Sequence, residues 1–177
     1  MLPSPSNQPP ILHRYDQPNT RQVLYLEEVG KHQVEIAATG VELTIIGAFS
    51  TKDTDSLQVE LTVIHQARNT QSHTYLRGVA ADTSQLYLSG TIIVHPEAVG
   101  TNAFLDERIL LVSPTAKAEA IPNLEIEQNE VKCSHAAAIS SIPPEQLFYL
   151  MSRGLSQPKA IDVITEGFLR VNPEWIA

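Results

Sequence analysis

Between residues 23 and 126 the apolar positions fall into short runs that alternate in period two or are continuously β-branched, with turn-forming residues between them. The clearest is "LQVELTVI" (57–64), which places Leu57, Val59, Leu61 and Val63 on one face and Gln58, Glu60 and Thr62 on the other. "VELTII" (41–46), "HTYLRGV" (73–79), "QLYLSGTIIV" (85–94), "RILLVS" (108–113), "KAEAI" (117–121) and "LEIEQ" (124–128) carry the same signature. The spacings leave no room for helices between these strands, so an alternating βαβ sheet is excluded and an all-β body is predicted. A sandwich, a barrel or a β-helix would each give this rhythm. Small and β-branched residues dominate the inward positions and aromatics are 6% of the chain, which suits the flat layers of a parallel β-helix better than a bulky sandwich core. No strict repeat period is apparent.

The period changes on either side of this body. In the first twenty residues Pro3, Pro5, Pro9, Pro10 and Pro18 stand among Ser, Asn and Gln, which reads as an extended or disordered arm. After residue 140, "SIPPEQLFYLMSRG" predicts a helix with Ser141 as N-cap, Pro143 and Pro144 in the first turn and Gly154 as terminator, its apolar face carrying Leu147, Leu150 and Met151. A second helix opens at Ser156 with a stripe of Ala160, Val163, Ile164 and Phe168. The organisation is therefore an arm over 1–20, a β-body over 21–140 and a two-helix segment over 141–177. Two short amphipathic helices must bury their stripes on the β-body or on a second protein.

Charge narrows the partners. Acidic residues outnumber basic ones by 20 to 12, a formal net charge of −8 that repels nucleic-acid phosphates and anionic lipid surfaces alike. No apolar run reaches the roughly 20 residues needed to span a bilayer, and the start "MLPSPSNQPP" has no signal-peptide pattern, so a cytoplasmic location is expected. No Gly-rich phosphate loop, nucleophile elbow or HExxH pattern occurs, and "DTD" (53–55) reads as a solvated turn rather than a calcium loop.

The remaining candidate chemistry is "NEVKCSHAAAI" (129–139), which holds the single cysteine, Cys133, two places before His135. If this stretch is extended, both side chains leave the same face of the strand and Ser134 leaves the other. Thiolate and imidazole together suit iron–sulfur clusters, zinc or copper, although a free cysteine more often serves as a small buried hydrophobe. One thiol cannot hold a cluster alone. The other histidines, His13, His32, His65, His73 and His95, are scattered, and ordinary surface or core roles are expected for each.

The C-terminal third has a more specific pattern. "AIPNLEIEQNEVKCSHAAAISSIPPEQLFYLMSRGLSQPKAIDVITEGF" (120–168) resembles the end of the SufB/SufD iron–sulfur cluster assembly proteins in order, spacing and identity of residues. A looser similarity runs through "SHTYLRGVAADTSQLYLSGTIIVHPEAVGTNA" and "RILLVSPTAKAEA", so the resemblance covers about residues 35–170. It implies a right-handed parallel β-helix with a helical C-terminal segment, in a non-enzymatic scaffold that pairs with a SufB-type subunit or with itself. It further implies a SufC-type ATPase docked on the helices through Leu147, Phe148, Arg153 and Gly154, and a transient iron–sulfur cluster or iron held by Cys133 and His135. Asp106, Glu107 and Arg108 stand where the SufB branch has a cysteine, and Ala136 follows His135 where that branch has glutamate, so the chain is SufD-like. It is less than half the usual family length, and "HAAA" replaces "HGAT". The competing expectation is an interaction module that kept docking or dimerisation and lost cluster chemistry; a polysaccharide-active β-helix enzyme has no acidic cluster to support it.

Overall fold

The structure, a computed structural model, describes residues 9–172. Ten strands follow one another: β1 (Ile11–Tyr15), β2 (Arg21–Leu26), β3 (Gly30–Ile36), β4 (Glu42–Thr51), β5 (Ser56–His65), β6 (Gln71–Ala80), β7 (Gln85–Val94), β8 (Asn102–Leu111), β9 (Lys117–Ile126) and β10 (Lys132–Ser141). Odd and even strands separate into two parallel sheets, ordered β1-β3-β5-β7-β9 and β10-β8-β6-β4-β2. The chain thus crosses from one sheet to the other at every corner and advances one strand each time it returns. This is a parallel β-solenoid, as the strand rhythm and the resemblance led us to expect.

The core lies between the sheets. Period-two alternation sends Val34 and Ile36 of β3, Val59, Leu61 and Val63 of β5, and Leu86, Leu88 and Ile92 of β7 inward against Leu43 and Ile45 of β4, Leu76 of β6 and Leu105 and Ile109 of β8. The parallel register stacks these residues into ladders, for example Leu43–Ser72–Ala103–Cys133 and Ile45–Thr74–Leu105–His135. Small and medium side chains on successive coils fill each layer without large aromatics, which is why so few are needed.

Corners turn through residues in the left-handed region. Asn19, Gly40, Asn69 and Gly100 all have positive φ and follow one another along one corner, where backbone bonds such as Asn19 N–H to Thr39 O and Asn69 N–H to Val99 O join successive coils. Asp53 and Asp82 take the same conformation at another corner, and the Asp53 amide donates to an Asp82 carboxylate oxygen. The "DTD" stretch is therefore a turn, as read from its composition.

Several boundaries differ from expectation. The segment 1–20 does not remain apart from the body: Ile11–Tyr15 forms β1 and pairs with β3, while residues 1–8 of the expected arm lie outside the described residues. "KAEAI" and "LEIEQ" join into the single strand β9 across Pro122, which an edge strand tolerates because no neighbour needs the missing N–H. β8 starts six residues before "RILLVS", because the charged triplet Asp106-Glu107-Arg108 is accommodated within the strand rather than in a turn. β10 runs on to Ser141, so Ser141 ends a strand and Pro143 takes the N-cap position of helix α1 (Pro144–Ser152).

The end of α1 matches its sequence signal. Gly154 has φ +93°, its N–H donates to Met151 O and the Leu155 N–H donates to Leu150 O, the pair of bonds that terminates a helix on a left-handed glycine. Helix α2 (Gln157–Leu169) packs against α1 and against β6, with Ala160 fully buried and Ile161, Ile164 and Phe168 half-buried. Val163, expected in that stripe, is exposed instead.

Candidate functional site

Cys133 and His135 lie on β10, the last strand of its sheet. They stand beside Ala103 and Leu105 of β8, whose side chains are in the core, so both project to the inner side of the coil. Among the described residues no further coil follows. β9 and β10 each have a strand on one flank only, and the side chains that would be core elsewhere are open here: Ile126 and Ile139 are 42% and 45% exposed. The end of the solenoid is therefore an apolar surface bounded by two unpaired strand edges, with a thiol and an imidazole on it.

The two groups have different surroundings. His135 is exposed, whereas Cys133 is half-buried and packs against the core cluster. Burial pushes the Cys133 thiol above its ordinary range, and the Ala103 backbone opposes this only in part. The thiol is thus protonated at neutral pH until a metal displaces its proton. The Cα atoms of residues two apart on a strand are about 7 Å apart. Side chains at that spacing on one face can reach either a single ion or two atoms of a cluster. Among the described residues no group of three or more His, Cys, Asp and Glu side chains could hold a metal ion, so Cys133 and His135 form at most part of a coordination sphere there.

The ATPase-docking residues expected on α1 fall into two groups. Phe148 is 74% exposed and Tyr149 is 56% exposed with the Arg153 guanidinium 5.2 Å from its ring centre, a cation–π pair on the open face of the helix. Leu147 instead lines a groove with Leu111, Ile142 and Ile161, between the helices and the solenoid corner, and Gly154 terminates the helix. Leu147 and Gly154 shape the helix; Phe148, Tyr149 and Arg153 face outward from it.

Three polar clusters had no signal in the linear pattern. Asp106, on the outer face of β8, accepts from Arg77 at 2.7 Å and from Arg108 at 3.0 Å, while Arg77 also lies 5.7 Å from the Tyr75 ring centre. Its neighbour Glu107 points inward and is fully buried against Gly90; burial pushes its pKa up to about 8, and the Gly90 backbone opposes this only in part. His65 is also fully buried, with Nδ1 2.8 Å from the Thr70 hydroxyl and Nε2 2.8 Å from the Ser72 hydroxyl, and its pKa falls to about 4. Register joins Arg77 to Asp106 on the neighbouring coil, whereas His65 meets Thr70 and Ser72 across the corner that follows β5.

A family model for the SufBD core domain of the SUF iron–sulfur cluster assembly system matches residues 28–168. The chain belongs to the SufBD family. An iron–sulfur cluster assembly SufBD family protein of Mycobacterium leprae is 31% identical over 144 residues, covering 76% of this chain and 36% of that protein. The iron–sulfur cluster assembly protein SufD of Bacillus subtilis is 32% identical over 107 residues, 60% of this chain and 24% of its own length. The chloroplastic protein ABCI7 of Arabidopsis thaliana is 32% identical over 146 residues, 80% and 30% respectively. The chain thus spans about a third of the length of the SufBD relatives it matches. β3 to α2 constitute the matched SufBD core, and β1 and β2 precede it. No helix among the described residues is long and apolar enough to cross a membrane.

Proposed function

We propose that this chain acts as a SufD-like, non-enzymatic scaffold or accessory subunit in iron–sulfur cluster assembly, pairing through the open end of its solenoid with a SufB-type subunit or a second copy of itself. The observation that carries this reading is the joint placement of Cys133 and His135 on one side of the unpaired edge strand β10. A partner strand added to β9 or β10 satisfies its backbone groups and covers Ile126 and Ile139. The same association brings a second set of ligands to a thiol and an imidazole that are too few alone. The transient cargo is an iron–sulfur cluster or iron, held on this side by Cys133 as thiolate and His135 as nitrogen ligand.

The second partner is a SufC-type ATPase that docks on α1. Phe148, Tyr149 and Arg153 supply an exposed aromatic and cationic surface of the kind that anchors interfaces, and Leu147 and Gly154 hold that surface in place. With its acidic balance and these protein-facing surfaces, the molecule works in the cytoplasm without nucleic acid or membrane.

Anaerobic reconstitution with ferrous iron and sulfide, in the presence of the paired subunit, tests the ligand role. Visible charge-transfer absorbance is expected in the wild type and is expected to fall in both Cys133→Ala and His135→Ala. An absorbance that neither change lowers would leave only a docking module. Co-purification with the ATPase tests the second surface: Phe148→Asp is expected to abolish it without loss of fold, and a complex that survives this change would refute the role given to α1.

A further inference from the structure

At the far end of the solenoid from Cys133, two histidines separated by 19 residues meet across β1 and β3. His13 Nε2 lies 3.4 Å from His32 Nδ1. The ring centres are 5.7 Å apart with the planes inclined by only 18°. The difference between the two distances is about two ring radii, so both nitrogens lie on the line joining the rings and point at one another. They are edge to edge, not face to face. His32 is 3% exposed and its Nε2 donates to the Glu28 carbonyl at 2.9 Å. A carbonyl only accepts, so the His32 proton is fixed on Nε2 and the Nδ1 lone pair is fixed toward His13.

We propose that His13 and His32 form a two-coordinate site for a soft monovalent cation of the cuprous class, held in line between His13 Nε2 and His32 Nδ1. Imidazole nitrogen is a good ligand for copper, and a d10 monovalent ion accepts two ligands in a line. Metal–nitrogen bonds near 2 Å need the nitrogens about 4 Å apart, so β1 must move outward by roughly half an ångström. An edge strand paired on one flank only can make that adjustment. A neutral His13 gives up its Nε2 proton to Nδ1, and the cation takes the place of the shared hydrogen with no net proton release.

The collinear lone pairs select against a tetrahedral divalent ion, whose ligands must converge at an angle. So does the absence, among the described residues, of a third His, Cys, Asp or Glu to complete a higher coordination number. His13 lies outside the residues matched by the family model, so the site does not follow from membership of that family.

The test titrates the full chain, carrying Cys133→Ala to remove its thiol, with cuprous ion delivered anaerobically from a bicinchoninate complex. One equivalent is expected to bind, with an X-ray absorption spectrum of two nitrogen neighbours and no sulfur. His13→Leu and His13→Gln are each expected to weaken binding by about tenfold or more. The glutamine amide can still donate to His32 Nδ1 and keeps the rim intact, so its result decides the matter should the leucine variant unfold. Undiminished affinity in His13→Gln, or a four-coordinate spectrum in the parent, would overturn the site.

Discussion

Glu107 and His65 are buried ionisable residues with opposite consequences for stability. Burial raises the Glu107 pKa from 4.5 to about 8 on folding, against a smaller opposing effect of the Gly90 backbone, so the folded state keeps a proton that the unfolded chain has lost. Its contribution is complete below pH 4.5 and is lost as pH rises toward 8. His65, neutral between Thr70 and Ser72, drops from 6.5 to about 4, so its contribution is complete above pH 6.5 and is lost as pH falls toward 4. From pH 4.5 to 6.5 the two slopes cancel. Above pH 6.5 only Glu107 acts, and these two groups make stability fall toward pH 8 by on the order of 1 kcal/mol per pH unit. Denaturant unfolding across this range is expected to show a plateau followed by that fall, and Glu107→Gln is expected to remove the fall. A variant that still loses stability as steeply between pH 6.5 and 8 would show that Glu107 is not the group responsible. His65 in an ordinary core role was anticipated from its sequence, but its hydroxyl partners were not. The inward Glu107 was hidden because it stands just before the apolar run "RILLVS" between two other charged residues, and the local pattern does not reveal which of the three faces the core.

At the scale of the elements, the strands were legible and their joints were not. "QLYLSGTIIV" coincides with β7 and "LQVELTVI" with the middle of β5, because uninterrupted alternation is itself the physical requirement for a strand with one face in a core. The repeat was not legible, because equivalent positions are 21 residues apart from Ile11 to His32, 29 from Ser56 to Gln85 and 32 from Gln85 to Lys117. Corners of unequal length erase the period while leaving the ladder intact. What a corner does require is a left-handed residue, and Gly100 shows the constraint: at φ +77°, an added Cβ would lie 2.5 Å from Asn69 Oδ1 of the preceding coil. Gly100→Ala is therefore expected to destabilise the fold by about 1–2 kcal/mol, from backbone strain together with displacement of the asparagine. Gly167 lies on α2 with nothing within 4 Å of its added Cβ, so Gly167→Ala is the matched control and is expected to stabilise slightly. Equal melting temperatures for the two variants would show that the corner stacking contributes nothing.

The whole molecule has two unlike ends. At the β1–β2 end, the strands carry ion pairs to the next coil, Arg14 to Glu35 and Arg21 to Glu42, each at 2.5 Å, and such charged side chains discourage pairing of an edge with a foreign strand. At the other end, β10 runs as "KCSHAAAISS" with no acidic residue and with Ile139 open, and a flat, small-residue edge of that kind favours association. With a net charge of −8, two copies repel at long range, so association must come from short-range burial at a patch that is nearly neutral. Two consequences can be separated by experiment. Raising salt screens the repulsion and is expected to strengthen self-association, the opposite of what an interface built on ion pairs would show. Ile139→Lys places a charge at the centre of that surface. It is expected to shift the molecule to monomer in light scattering coupled to size exclusion, while thermal unfolding changes little because the side chain is already 45% exposed. A dimer that persists in Ile139→Lys, or that dissociates as salt is added, would place the contact elsewhere and separate Cys133 and His135 from any interface.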